Sequence, residues 1–133
     1  MQGLERLDER AISRVNGAAW TTLRGAFFRV AKALLAVSPQ TRSQLTTIYV
    51  KFCVDDQLDT VYAVVWLKTS RQIVVGLNVP EEHRPISVPR SMPGHAYKNL
   101  NAYFVIDPDD VIPDRLFDCI PVAYLHASSS VIK

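Results

Sequence analysis

TVYAVVWL, residues 60–67, is a nearly continuous run of β-branched, aromatic and other apolar side chains. This composition favours a β-strand, and the lack of polar alternation predicts a strand that is buried on both faces. IYVKFCV, residues 48–54, has the same character, and the polar residues 55–59 between the two runs predict a turn. The sequence therefore predicts two neighbouring strands at 47–54 and 60–67.

Two further strands are predicted downstream. QIVVGLNV, residues 72–79, follows a four-residue polar connection, a spacing that suits an antiparallel hairpin. NAYFVI, residues 101–106, is the last strand-like run. Residues 80–99 between them contain four prolines, at 80, 85, 89 and 93, which exclude a helix or a central strand across this span.

Helical periodicity appears before and after the strands. Leu4 to Val15 predicts a first helix, which Asn16-Gly17 ends. The segment 18–37 predicts a second helix, because its apolar residues recur in steps of three and four at Trp20, Leu23, Phe27, Val30, Leu34 and Val37. A third helix is predicted from an acidic entry near Asp107 to about Ala127, with a kink or a break at Pro121.

The order of the elements is two helices, three strands, a long loop, a strand and a helix. Strands and helices do not alternate, so the sequence predicts an α+β fold, with an antiparallel sheet of about four strands and two N-terminal helices and one C-terminal helix packed on it. The length of 133 residues fits one domain. Within it we expect an N-terminal helix at 1–16, a core at 18–127 and a frayed tail at 128–133.

Composition and charge indicate an ordinary folded chain. The apolar fraction is 48% and the charged fraction 21%. Residues 1–51 carry eight basic and three acidic side chains, whereas residues 52–133 carry seven basic and ten acidic ones. This asymmetry is compatible with an anionic partner for the first half, with contact between the halves, or with solvated helix faces. The start has no signal-peptide pattern and no stretch suits a membrane span, so we predict a cytoplasmic protein without membrane contact.

The sequence contains no recognisable catalytic, metal-binding or phosphate-binding motif. Cys53 and Cys119 lie inside apolar runs, and the three histidines are isolated, so neither a disulfide framework nor a zinc site is predicted. The five glycines form no phosphate-binding loop, and no nucleophile elbow is present. We therefore predict no catalytic residues, no metal and no cofactor, and this pattern favours a non-catalytic protein over an enzyme while leaving the second open.

The proline-rich loop contains the best candidate for a binding site. Cations, an aromatic ring and an imidazole are combined there, which suits phosphate contact and base stacking. The candidate residues are Arg84, Arg90, His95, Tyr97 and Lys98. The alternative is a loop, ordered by its prolines, that covers an edge of the sheet.

Several short motifs carry a family resemblance. They are Leu35–Pro39 at a helix end, the strands Ile48–Phe52 and Ile73–Val79, the Gly94-His95 step, and Ile120–Tyr124 in the last helix. With these motifs the chain, from about Trp20 to Ala127, resembles the uncharacterised bacterial and archaeal family known as domain of unknown function 5655. The resemblance implies a small α+β domain that accompanies predicted nuclease or restriction-system domains, and hence an accessory role near nucleic acid.

Two hypotheses about function follow. The first is a non-catalytic binding or accessory module with nucleic acid or a protein as its partner, and with a homodimer suggested by surplus apolar surface on the second helix. The second is a small-ligand-binding domain or an enzyme with its pocket between the 80–99 loop and the sheet and His95 at its polar centre.

Overall fold

Among the residues that it describes, the computed structural model contains three α-helices and one five-stranded sheet. The helices are α1 (Glu9–Asn16), α2 (Ala18–Leu35) and α3 (Asp114–Ile132), and the strands are β1 (Arg42–Leu45), β2 (Tyr49–Val54), β3 (Gln57–Trp66), β4 (Ile73–Leu77) and β5 (Ala102–Ile106). A short 3-10 helix spans Glu81–His83. The structure describes residues 9–16, 18–38, 41–46, 49–54, 57–67, 72–84, 88–90, 92, 97, 99–108 and 111–132.

The sheet is an antiparallel meander in which every strand pairs with its neighbour in sequence. Val65 at its centre pairs with Val50 of β2 and Val75 of β4. The predicted α+β fold with an antiparallel sheet is confirmed, and the sheet has five strands where about four were predicted. The additional strand is β1, a four-residue edge strand of sequence RSQL whose side chains are exposed or half-buried in alternation.

A β-bulge in β3 turns Tyr62 towards the helices. Phe52 pairs with Ala63 and Cys53 pairs with Val61, so Tyr62 is the extra residue between them. Its side chain is fully buried, and its hydroxyl donates a hydrogen bond of 2.5 Å to the Leu34 carbonyl. Leu34 lies in the last turn of α2, where carbonyls lack helical partners. The bulge therefore supplies a hydrogen-bond donor to a helix end.

One face of the sheet carries the helices and the main core. The predicted apolar stripe of α2 is buried from Trp20 to Leu34, and α3 contributes Leu116, Ile120 and Ala123 to the same core. The α2 stripe is thus satisfied within the chain, and the homodimer that surplus apolar surface on this helix suggested stays a prediction. Among the described helices, none is long and apolar enough to cross a membrane.

The opposite face of the sheet has a smaller apolar cluster, which we call the loop-side cluster. Its buried members are Cys53, Val61, Val64, Trp66, Val74, Leu100 and Tyr103, and Tyr49, Met92 and Tyr97 pack against it half-buried. Met92 and Tyr97 belong to the proline-rich segment and Leu100 directly follows it, so these described residues cover part of this face. The carbonyl of Pro89 also accepts a hydrogen bond of 3.0 Å from the Tyr103 amide on the edge strand β5.

The third helix begins later and ends later than the sequence pattern predicts. It starts at Asp114, directly after Pro113, whose carbonyl accepts from the Leu116 amide at 3.0 Å. The predicted entry near Asp107 is wrong, because Asp107 directly follows β5, where its carboxylate accepts a hydrogen bond from Gln72, and the helix begins seven residues later at Asp114. The helix continues through Pro121 and extends to Ile132, beyond Ala127.

Candidate functional site

Two of the predicted loop residues, Arg84 and Arg90, converge on one carboxylate. The Arg90 guanidinium forms a two-pronged ion pair with Glu81, with Nη1 2.9 Å from Oε2 and Nη2 in contact with Oε1. Arg84 Nε lies 3.6 Å from the same Oε1, and its Nη1 donates to the Val88 carbonyl at 2.7 Å. Both arginines therefore order the segment around the 3-10 helix.

The two arginines change the protonation equilibrium of the Glu81 carboxyl. A hydrogen bond from Arg90 is the main cause that holds the pKa of this carboxyl below its usual value, and Glu81 in turn raises the pKa of Arg90. A carboxylate shared by two cations leaves this group with a net charge of about +1 instead of +2. The local potential that would attract a phosphate is correspondingly smaller.

Tyr97 lies in the loop-side cluster. Its ring makes an edge-to-face contact with Tyr49, with ring centroids 5.6 Å apart, and Tyr49 contacts Trp66 in the same way at 5.7 Å. Tyr97 is half-buried, so one side of the ring is used in packing. His95 and Lys98 lie outside the described residues. The five-residue loop site accordingly stays a prediction, as does a pocket beneath the loop.

The solvent side of α2 is cationic. Arg24, Arg29 and Lys32 are all exposed, and no acidic residue occurs anywhere in Ala18–Leu35. The Arg24 guanidinium lies over the Phe28 ring at 4.8 Å, whereas Arg29 and Lys32 form no ion pair within the described part of the chain. Arg10 and Arg14, one turn apart on α1, are exposed as well.

This cationic surface was only partly visible in the sequence. The excess of basic residues in the first half predicts an anionic partner as one of three readings, and Arg6, Arg10 and Arg14 share a spacing of four. The structure adds the position of the α2 cations. They lie on the solvent-exposed side of the helix, whereas Leu23, Phe27 and Val30 on its other side are fully buried. The sequence signal available for it is a helix of 18 residues with three cations and no acid.

The described nucleophiles and metal-ligating groups are dispersed. Cys53 and Cys119 are reduced thiols, and both are buried. Burial raises the pKa of the Cys119 thiol, with Asp118 adding to the effect, so the nucleophilic thiolate is disfavoured. Among the described residues no three His, Cys, Asp or Glu side chains come together as metal ligands.

Within the described part of the chain, two cavities flank the C-terminal half of α3. The larger, of about 400 Å³, is an open groove between α3 and the end of α2, lined by Ala33, Ala36, Val37, Phe117, Ile120, Pro121, Tyr124 and Leu125. The smaller, of about 300 Å³, lies between α3 and the 3-10 helix, lined by Pro80, His83, Val122, Leu125 and His126. Neither was predicted from the sequence, because the walls of each come from two segments that are distant in the chain: 33–37 and 117–125 for the larger cavity, and 80–83 and 122–126 for the smaller.

Comparison with protein-family models, curated proteins and solved structures finds no match for this chain. The family resemblance stated from short motifs therefore stays a prediction.

Proposed function

We propose that this chain is a non-catalytic, cytoplasmic binding module whose solvent face on α2 binds the phosphate backbone of nucleic acid. The observation that carries the proposal is the acid-free face of α2, on which Arg29 and Lys32 are exposed and have no described carboxylate partner. Arginine and lysine on a helix surface neutralise phosphates and release the condensed counterions, which supplies most of the non-specific affinity for nucleic acid.

The spacing of the two cations supports a shared contact. Arg29 and Lys32 are three positions apart on a helix, which places their Cβ atoms about 5–6 Å from each other. Two side chains on one stripe can therefore reach neighbouring phosphates without rearrangement of the helix. Arg10 and Arg14 add further exposed cations on the adjacent helix.

The loop arginines support this function less than α2 does. Arg84 and Arg90 are bound to Glu81, so phosphate contact at either one would require that ion pair to open. Lys32 also has a second role, since a cation in the last turn of a helix stabilises the negative end of the helix dipole. The experiment therefore has to separate binding from stability.

The test compares the unmodified protein with Arg29→Gln/Lys32→Gln in titrations of labelled double-stranded DNA and single-stranded RNA at low salt. Because non-specific binding is dominated by phosphate neutralisation, we expect the double variant to lose about tenfold or more in affinity for either probe. Thermal unfolding of both proteins shows whether the loss comes from binding alone.

Arg115→Gln is the matched control. It also removes an exposed helical cation, but Arg115 lies between Asp114 and Asp118 on α3, where the surrounding charge is negative. We expect its affinity for nucleic acid to equal that of the unmodified protein. Equal losses in the control and the double variant, or no detectable binding by the unmodified protein at low salt, would reject the nucleic-acid function.

A further inference from the structure

The two cavities beside α3 are adjacent and chemically different. Leu125 lines both of them, and 65% of its surface is exposed, so it forms a low wall between the apolar groove and the cavity that contains His83 and His126. We propose that the two together bind a single amphipathic carboxylic acid, with its hydrocarbon chain in the groove and its carboxylate between the two imidazoles. This site is separate from the nucleic-acid face and does not depend on it.

The groove fits a hydrocarbon chain. Its lining is made of alanine, valine, leucine, isoleucine, proline and aromatic side chains, and Tyr124 alone among them carries a polar side-chain group. A volume of about 400 Å³ is within the range of small-molecule sites, which are lined mainly by apolar groups with few polar ones. Ala33 and Ala36 keep the α2 wall low, so a chain can lie along Ile120 and Tyr124.

The second cavity supplies the polar end. His83 and His126 are its two residues with polar side chains, the others being Pro80, Val122 and Leu125. An imidazole donates at least one N–H in either of its charge states, so two of them can each donate to one oxygen of a carboxylate. His83 lies on the 3-10 helix and His126 lies on α3, so the cavity is located between these two elements.

The charges nearby are compatible with an anionic head group. Glu81, next along the 3-10 helix, is held by Arg90 and Arg84, and Glu82 is exposed and does not line the cavity. From Cys119 to Ile132, α3 has no acidic residue that would repel a carboxylate. A two-histidine metal site is the competing use of the same pair, but no third ligand joins them among the described residues.

The head-group end of the ligand has one rival position. Lys32 precedes Ala33 on the α2 side of the groove and could attract a carboxylate bound in the reverse orientation. We place the carboxylate at the histidines because both line the second cavity, where His126 is half-buried and His83 is exposed, whereas Lys32 is exposed and lines neither cavity. The two orientations make opposite predictions for His126→Phe and Lys32→Gln.

The experiment is a titration of the ¹⁵N-labelled chain with decanoate below its micelle concentration, followed by amide chemical shifts, with 1-decanol as the neutral-headed control. We expect decanoate to shift the amide resonances of residues 33–37 and 120–126. We also expect decanoate to bind about tenfold more tightly than decanol, because a tenfold difference in affinity corresponds to one charge-assisted hydrogen bond. His126→Phe, which keeps a flat ring but has no N–H donor, should remove that advantage, and Lys32→Gln should keep it. Ala36→Trp, which fills the groove from an exposed position, should weaken both ligands.

Val111→Ser is the control for a general loss of apolar surface, since Val111 is 92% exposed and lines neither cavity. Decanoate should bind this variant unchanged. Equal binding of decanol and decanoate, or loss of the advantage in Lys32→Gln alone, would each overturn the proposal. So would an unliganded dimer that Ala36→Trp converts to monomer, because a second copy would then occupy the groove.

Discussion

At the scale of single residues, Tyr62 links the sheet to the end of α2. Tyr62→Phe keeps the ring and its edge-to-face contact with Tyr124, at 5.4 Å between centroids, but removes the donor to Leu34. A buried carbonyl left without its partner costs about 1–3 kcal/mol, so we expect the free energy of unfolding to fall by about that amount. Urea denaturation measures it, and an unchanged midpoint would show that the hydrogen bond contributes nothing.

Substitution of glycine by alanine is expected to have opposite effects on the free energy of unfolding at Gly25 and at Gly76. A Cβ on Gly25 in α2 would meet nothing within 4 Å, so Gly25→Ala should raise the free energy of unfolding by up to about 1 kcal/mol. A Cβ on Gly76 in β4 would lie 2.7 Å from Leu100 Cδ1 and 3.1 Å from the Tyr103 ring. Gly76→Ala should therefore destabilise by about 1–3 kcal/mol through overpacking of the loop-side cluster. Denaturation of both variants in parallel tests the pair, and effects of the same sign would contradict it.

Glu81 gives a pH prediction whose sign follows from its lowered pKa. A carboxyl whose pKa is lower in the folded state contributes stability above its unfolded-state pKa, and that contribution disappears as the pH falls through the folded-state pKa. We expect the Glu81 carboxyl carbon, followed by NMR, to titrate below an ordinary glutamate. In Arg90→Gln the midpoint should move up, because the largest cause of the shift is removed. A midpoint that does not move would show that the ion pair is absent in solution.

At the scale of elements, Asn101 extends the pairing of β4 and β5 beyond the strands. Its amide Oδ1 accepts from the Val79 N–H at 3.0 Å and its Nδ2 donates to the Val79 carbonyl at 2.7 Å, as a second backbone would. Asn101→Asp removes the donor and sets a carboxylate against that carbonyl. We expect amide exchange at Val79 to accelerate and stability to fall, whereas equal exchange rates would mean that the side-chain bridge is not formed.

The elements that the sequence predicts well are those with a long apolar pattern. The α2 stripe and the strands β2 to β5 bury the residues that their periodicity indicated, because burial of apolar side chains dominates the choice of structure there. β1 escaped prediction because RSQL has no β-branched residue and half of it faces solvent, so only its pairing with β2 makes it a strand. The start of α3 was misplaced because acids near a helix entry and acids after a strand look the same in sequence.

At the scale of the whole molecule, the sheet separates two covering layers of different character. The helices close one face with the larger core, and the loop-side cluster closes the other with residues from the proline-rich segment. The sequence predicted loop candidates for binding but could not show that Arg84 and Arg90 share Glu81, since that contact depends on the fold of residues 81–90. The sequence also could not show that α2, α3 and the 3-10 helix lie next to one another and form the walls of two cavities.

The central claim, that the acid-free face of α2 binds phosphates, is tested most directly by the salt dependence of nucleic-acid binding. Each phosphate contact contributes about 0.9 to the slope of log K against log salt concentration on B-DNA. Arg29→Gln/Lys32→Gln should therefore lower the slope by about 2 relative to the unmodified chain, while Arg115→Gln leaves it unchanged. A slope identical in all three proteins would contradict the account.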